Sequence, residues 1–137
     1  MASPIPGERD LTQLLTSMSP RLNPGCFVFI TLSADDASQI EGVLMRFEEA
    51  EGTTLILSRE RAEALGLDYT FPSCWITLSV ASALDAVGFI AEISAALSDA
   101  GISTNPVAGY HHDHLFVPED DVETAMATLE KLSAARG

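Results

Sequence analysis

The chain repeats itself. Ile30-Thr31-Leu32-Ser33 returns 46 residues later as Ile76-Thr77-Leu78-Ser79. Leu55-Ile56-Leu57 returns 60 residues later as Leu115-Phe116-Val117, each time just ahead of a charged helix start. The second offset is longer by about four helical turns at 3.6 residues each. A shared element order with one helix-sized insertion dictates two copies of one strand-and-helix unit, the first without its long helix.

Local patterns supply the elements. Residues 1–10, with Pro4, Pro6 and Gly7, read as a loose arm. Leu11, Leu14, Leu15 and Met18 recur at helical spacing behind Asp10 as cap, and Pro20 ends that helix. Pro24-Gly25 makes a turn before Phe27–Leu32, whose aromatic and β-branched residues predict a strand. Ser33–Gln39 is a loop or a single turn. Val43–Glu49 and Thr53–Leu57 form a hairpin about Glu51-Gly52, followed by a short helix, Arg59–Leu65, capped by Ser58 and closed by Gly66. Asp68–Ser73 reads as a linker, which sets the domains at 1–70 and 71–137.

In the second copy, Ile76, Leu78 and Val80 alternate with Trp75, Thr77 and Ser79, predicting a strand with one apolar face. A helix is expected from Asp85 to Ala100, ended by Gly101. Ile102–Gly109 and His114–Val117 pair around His112-Asp113, and a last helix starts after Pro118 with Glu119, Asp120 and Asp121 at its positive end. Its buried stripe is Val122, Ala125, Met126, Leu129 and Leu132. This copy reads βαββα, one strand short of a split βαββαβ unit. The fold class is therefore α+β: ferredoxin-like units in tandem, with an antiparallel sheet carrying helices on one face. The missing strand leaves an edge, and the Trp75 face needs cover, so pairing between copies or between chains is expected.

Charge narrows the partners. Seven Lys+Arg against twenty Asp+Glu give a net charge of −13, spread evenly along the chain. Without a basic stripe, binding nucleic-acid phosphates or an anionic membrane surface has no electrostatic basis. Apolar runs such as Cys26–Leu32 fall far short of the ~20 residues that span a bilayer, and MASPIPGERD lacks a signal-peptide pattern. Cys26 and Cys74 make no disulfide framework and read as packing cysteines, so a cytoplasmic setting is expected.

The stretch Val87-Gly88-Phe89-Ile90-Ala91-Glu92-Ile93-Ser94-Ala95-Ala96-Leu97-Ser98-Asp99-Ala100-Gly101-Ile102-Ser103-Thr104-Asn105 resembles the aspartate-kinase type of ACT domain: a Gly at the strand-to-helix turn, a helix ending in Leu, and a Gly-Ile step into the next strand. Leu14-Leu15 with Met18 and Pro20, Gly25 before Phe27-Val28-Phe29, and Ala108-Gly109-Tyr110-His111-His112-Asp113-His114 with Phe116-Val117-Pro118 extend the likeness over nearly the whole chain, toward small stand-alone bacterial proteins with two ACT domains. The resemblance implies a ferredoxin-like fold, side-by-side sheet pairing, amino-acid binding at interfaces, and no catalytic activity.

Candidate site residues centre on the loop Ser82–Gly88. It leaves a strand and opens a helix, so its N–H groups and the helix dipole suit a carboxylate. Gly88 permits close backbone approach, Asp85 suits an α-amino group, and Asn105 donates and accepts across the interface. The ligand set is Ser82, Asp85, Val87, Gly88, Ile102 and Asn105. The plainer alternative makes Asp85 a helix cap and Gly88 a packing residue. Ala86-Val87 stands where many ligand-binding ACT domains carry Pro-Gly. His112 and His114 share a strand face and offer two metal ligands, but no nearby Cys supplies a third; the plain reading is a hairpin tip with Asp113 in the turn, and His111 has no assigned role. Neither a G-x-S-x-G elbow nor a phosphate-binding glycine loop is present. The expectation is a non-enzymatic, cofactor-free regulatory module that binds an amino acid, the acidity pointing weakly to a cationic one, and assembles as a homodimer or higher homo-oligomer. The alternative is an oligomerisation or enzyme-docking module with a vestigial site.

Overall fold

A computed structural model describes residues 7–136. Met1–Pro6, most of the expected loose arm, lie outside the described residues. The chain divides into two compact units, Pro24–Ser73 and a second formed by Met1–Asn23 with Cys74–Gly137.

The unit Pro24–Ser73 contains strand β2 (Phe27–Leu32), the one-turn helix α2 (Ala34–Ala37), β3 (Met45–Glu48), β4 (Thr53–Ser58) and helix α3 (Arg59–Ala64). It ends with the first residues of β5 (Thr70–Leu78). The antiparallel order is β3-β4-β2-β5. Val28, Ile30, Leu55 and Leu57 turn one face of this sheet toward Ala37 and Ala62 on the helices. Ser33 and Ser58 cap α2 and α3 through their side chains, as their short polar hydroxyls favour. The linker expected over Asp68–Ser73 is instead the start of a strand. Phe27 faces Ser73 and Phe29 faces Thr70, so β5 carries one residue more than β2 across this stretch. That bulge puts Phe71 at φ 58°, at a cost of about 1–2 kcal/mol for a side chain with a Cβ. Edge-to-face packing of Phe71 on Phe29, at 5.7 Å and 81°, and the Ser73 hydroxyl bond to the Phe27 carbonyl, at 2.9 Å, hold it there. Pro72 and the bulge hid the strand from pattern reading, because both interrupt the period of two.

The other unit holds helix α1 (Leu11–Ser17), β1 (Pro20–Leu22), the rest of β5, helix α4 (Phe89–Asp99), β6 (Asn105–Ala108), β7 (Asp113–Pro118), a 3₁₀ turn (Glu119–Asp121) and helix α5 (Val122–Arg136). Its core joins Leu14, Leu15 and Met18 to Ile76, Leu78, Ile93, Leu97, Leu115, Val117 and Leu129. Strand β1 pairs antiparallel with β5, Pro20 facing Leu78 and Leu22 facing Ile76. The strand this copy lacks at its end is therefore supplied from ahead of the first copy, and the exposed edge expected beside β5 is filled within the chain. The sequence showed only a helix stop and a turn there, since three residues beginning with Pro carry no alternation.

Helix α4 starts at Phe89, four residues later than expected. Gly88 adopts the left-handed conformation, φ 92°, and leaves the segment before it as loop. At the other end Ala100 closes the helix ahead of Gly101, φ 76°. Asp113, expected in the hairpin turn, is the first residue of β7 and is buried. The duplication persists in burial: β4 and β7, 60 residues apart, show the same inside-outside pattern from end to end.

Because Leu14 is completely buried within the α1-containing core, Leu14→Ala is expected to cost about 2–5 kcal/mol in urea unfolding. An α1 merely tethered to the surface would lose under about 0.5 kcal/mol.

Candidate functional site

The loop after β5 builds a cleft of about 180 Å³ with the N-terminus of α4 and the facing ends of β6 and β7. Its lining includes Ser82, Ala86, Gly88, Ala91, Ala108 and Asp113. Leu84, Phe89 and Ile90 add apolar side chains to the lining. The first N–H groups of α4 have no acceptor within the helix, and Gly88 has no side chain to cap them. They and the helix dipole make one wall an anion acceptor. Opposite in character is Asp113, 7% exposed, whose Oδ2 accepts a 2.7 Å hydrogen bond from the Ser82 hydroxyl, itself in a residue 8% exposed. A buried carboxylate needs donors or a cation to offset its lost hydration. One donor is in place, and the carboxylate lines the cleft. Donors for a carboxylate and an acceptor for an ammonium thus share a space far below the ~300 Å³ typical of drug-sized sites.

The expected site residues separate. Ser82 and Gly88 line the cleft. Asp85 belongs to the same loop but is bound by Arg9, Nε to Oδ1 at 2.9 Å, and does not cap α4. Val87 is 84% exposed, Ile102 is part of the core, and Asn105 is exposed at the start of β6, opposite Phe116. Asp113 was missed as a site residue. The repeat held the signal: the 60-residue offset aligns Asp113 with Thr53, also buried at the start of its strand. An acid at such a position calls for explanation.

The corresponding place in the first copy is a cleft lined by Ser33, Ala34, Glu48, Glu49, Glu51 and Thr53. Its helix has a single turn, and three glutamates repel an anion, so it cannot repeat the chemistry of the second cleft.

Histidines near the β7 end serve different contacts. Trp75 Nε1 donates to His114 Nδ1 at 3.0 Å, and Thr77 Oγ1 lies 3.1 Å from the same nitrogen. Asn23 Nδ2 donates to that Thr77 oxygen at 2.8 Å and to the Trp75 carbonyl at 3.2 Å. An acceptor at Nδ1 means a neutral ring with its proton on Nε2. Burial and, next, the neighbouring His112 push the His114 pKa below its usual value, with Arg21 adding to them and Asp113 opposing. His112 Nδ1 is 3.3 Å from the Val80 carbonyl, and His111 packs edge-on against Tyr110. Among the described residues no three His, Cys, Asp or Glu side chains gather as a metal site. Cys26 and Cys74 are half-buried. No helix among the described residues is long and apolar enough to cross a membrane.

Two strand-and-helix units of the βαββαβ type that share strand β5, with a strand-to-helix cleft in one of them, define a tandem of small α+β modules. Residues 6–74 match one family profile described as ACT domain and residues 70–131 match a second with the same description. The chain belongs to the ACT domain family, with two such domains in tandem. Both matches include the opening residues of β5. A protein of unknown function from Vibrio cholerae, described as a possible transport protein, is 39% identical with a TM-score of 0.80, over 90% of this chain and 95% of that one. A protein from Agrobacterium tumefaciens is 19% identical, TM-score 0.71, over 85% and 89%. The ligand-free regulatory subunit of aspartate kinase from Thermus thermophilus is 9% identical, TM-score 0.60, over 85% and 98%. The last two likenesses establish shared fold. No curated protein matches the chain.

The lowered His114 pKa fixes a pH dependence. The fold favours the neutral ring, so its contribution is complete above the ordinary histidine pKa of 6.5 and is lost as pH falls below that value toward the lowered one. The thermal midpoint is expected to fall as pH drops below about 6.5, with a parallel change in emission from Trp75, the single tryptophan. His114→Gln should flatten both in that window.

Proposed function

We propose that the protein is a non-catalytic regulatory module that binds a small α-amino acid in the cleft between the Ser82–Gly88 loop and Asp113. One observation carries this reading: the buried Asp113 carboxylate and the uncapped start of α4 border the same small space. The ligand carboxylate would lie against the α4 N–H groups and its ammonium against Asp113. A volume near 180 Å³ favours a short side chain over the lysine or arginine that net charge alone would suggest. The fold shared with a regulatory subunit of aspartate kinase supports a sensing role. The ligand would act by stabilising one arrangement of paired ACT domains through differential affinity, with homo-oligomers as the working form in the cytoplasm.

A second reading, a docking or oligomerisation module, draws support from Phe47, which stands 63% exposed on β3. A defined enzyme retained on the immobilised protein, with no small-molecule effect, would select it.

Thermal-shift measurement against the twenty amino acids decides between them. A true ligand at 100 times its Kd adds about 2.7 kcal/mol. Asp113→Asn keeps the side-chain shape and removes the charge, so affinity should fall about tenfold or more, the size of a lost charged hydrogen bond. No shift from any amino acid at millimolar concentration would end the sensing proposal.

A further inference from the structure

We infer that Gly7–Arg9 form a strap that positions Ser82 and thereby sets the shape and affinity of the cleft; the inference rests on the cleft being the ligand site. Glu8 lies parallel to Ser82 as a single β-bridge. Its N–H donates to the Ala81 carbonyl at 2.8 Å, and its carbonyl accepts from the Ala83 N–H at 2.9 Å. These bonds grip the loop on both sides of Ser82. With the flanking backbone held, the Ser82 hydroxyl stays on Asp113 Oδ2. The strap thus acts on the cleft through one residue, and Asp113 is the group at its far end.

Gly7 makes the close approach feasible. A Cβ there would stand 2.7 Å from the Ala83 nitrogen and 2.8 Å from the Ser82 carbonyl carbon, and φ is +108°. No L side chain fits without lifting the strand. Arg9 then ties down the loop farther along through Asp85 Oδ1 at 2.9 Å. That pair is half exposed and contributes little alone, so it serves as a latch on a strap held mainly by backbone bonds. On the chain's other side the strap is anchored as well: Glu8 Oε1 accepts from the Asp10 N–H, and Asp10 caps α1 by accepting from Gln13. One bridge flanked by two anchors is a small cooperative element, the kind that opens without unfolding its domain.

Linkage follows. A ligand held by Asp113 stabilises the Ser82 contact and hence the docked strap, and releasing the strap weakens the ligand by the same factor. The chain would respond to whatever competes for its own first residues, as well as to the metabolite.

The test uses the full-length protein and the variants Gly7→Val and Arg9→Gln. In hydrogen exchange without ligand, the Ala83 amide should be protected in the wild type. In the wild type its exchange should be faster than that of the α4 core amides and insensitive to low urea, and it should speed up about tenfold or more in Gly7→Val, and less in Arg9→Gln. An Ala83 amide equally fast in wild type and Gly7→Val overturns the strap. So does a wild-type Ala83 amide that exchanges as slowly as the α4 core amides and with the same urea dependence, since the segment would then be a plain part of the fold. Glycine, the smallest molecule carrying both ligand groups, is the probe for coupling. It should slow tryptic cutting after Arg9 in the wild type and bind Gly7→Val about tenfold more weakly. Glycine binding both proteins alike overturns the coupling. If glycine fails to bind the wild type while the apo exchange pattern holds, the proposed ligand chemistry fails and the strap stands.

Discussion

The pairing of Pro20–Leu22 with Ile76–Leu78 is the contact on which the unit containing the cleft depends. An open edge beside β5 would leave backbone donors and acceptors unsatisfied next to a hydrophobic core, a costly arrangement. Filling that edge from the N-terminal side has consequences well beyond three residues. It draws α1 into the core through Leu14, Leu15 and Met18. It also delivers Gly7–Arg9 to the loop that forms the cleft wall. A sheet edge, a helix and a strap come from one stretch of chain.

The two copies diverge where chemistry is concerned. Both place a strand exit, a helix start and a hairpin end around a cleft. In the second copy an eleven-residue helix and a buried acid line the same cleft. In the first, a four-residue helix faces glutamates. Duplication supplied the geometry twice, while helix length and a single Thr-to-Asp difference at equivalent buried positions decide which copy can hold a zwitterion. Neutral His114, held by Trp75 and Thr77, belongs to the sheet and not to this cleft. Its contacts link β5 and β7, and Asn23, just past β1, joins the same network.

Much of the fold was legible in the residues. The Phe27–Leu32 strand, the Asp10 and Ser58 caps, the Gly52 hairpin and the terminal helix follow from periodicity and short-range hydrogen bonding, and each stands where those forces put it. Failures of pattern reading came at long-range contacts. Thr70–Ser73 is a strand because Phe27 and Phe29 lie beside it, against the preferences of Phe71 and Pro72. Asp85, the alternative helix cap, does not cap α4 and pairs with Arg9, 76 residues away. Ile102 is buried in the core, and Asn105 opens β6 as an exposed residue opposite Phe116.

By itself the sequence determined that there are two copies of one α+β unit and the order of their helices and hairpins, because those features are settled between residues a few positions apart. Only the tertiary structure decided which segment completes the second sheet, which acid is buried in the cleft, and what the N-terminal residues touch. Those outcomes depend on backbone groups and carboxylates finding partners across the fold, and pairing at such distances leaves no periodic trace in the chain.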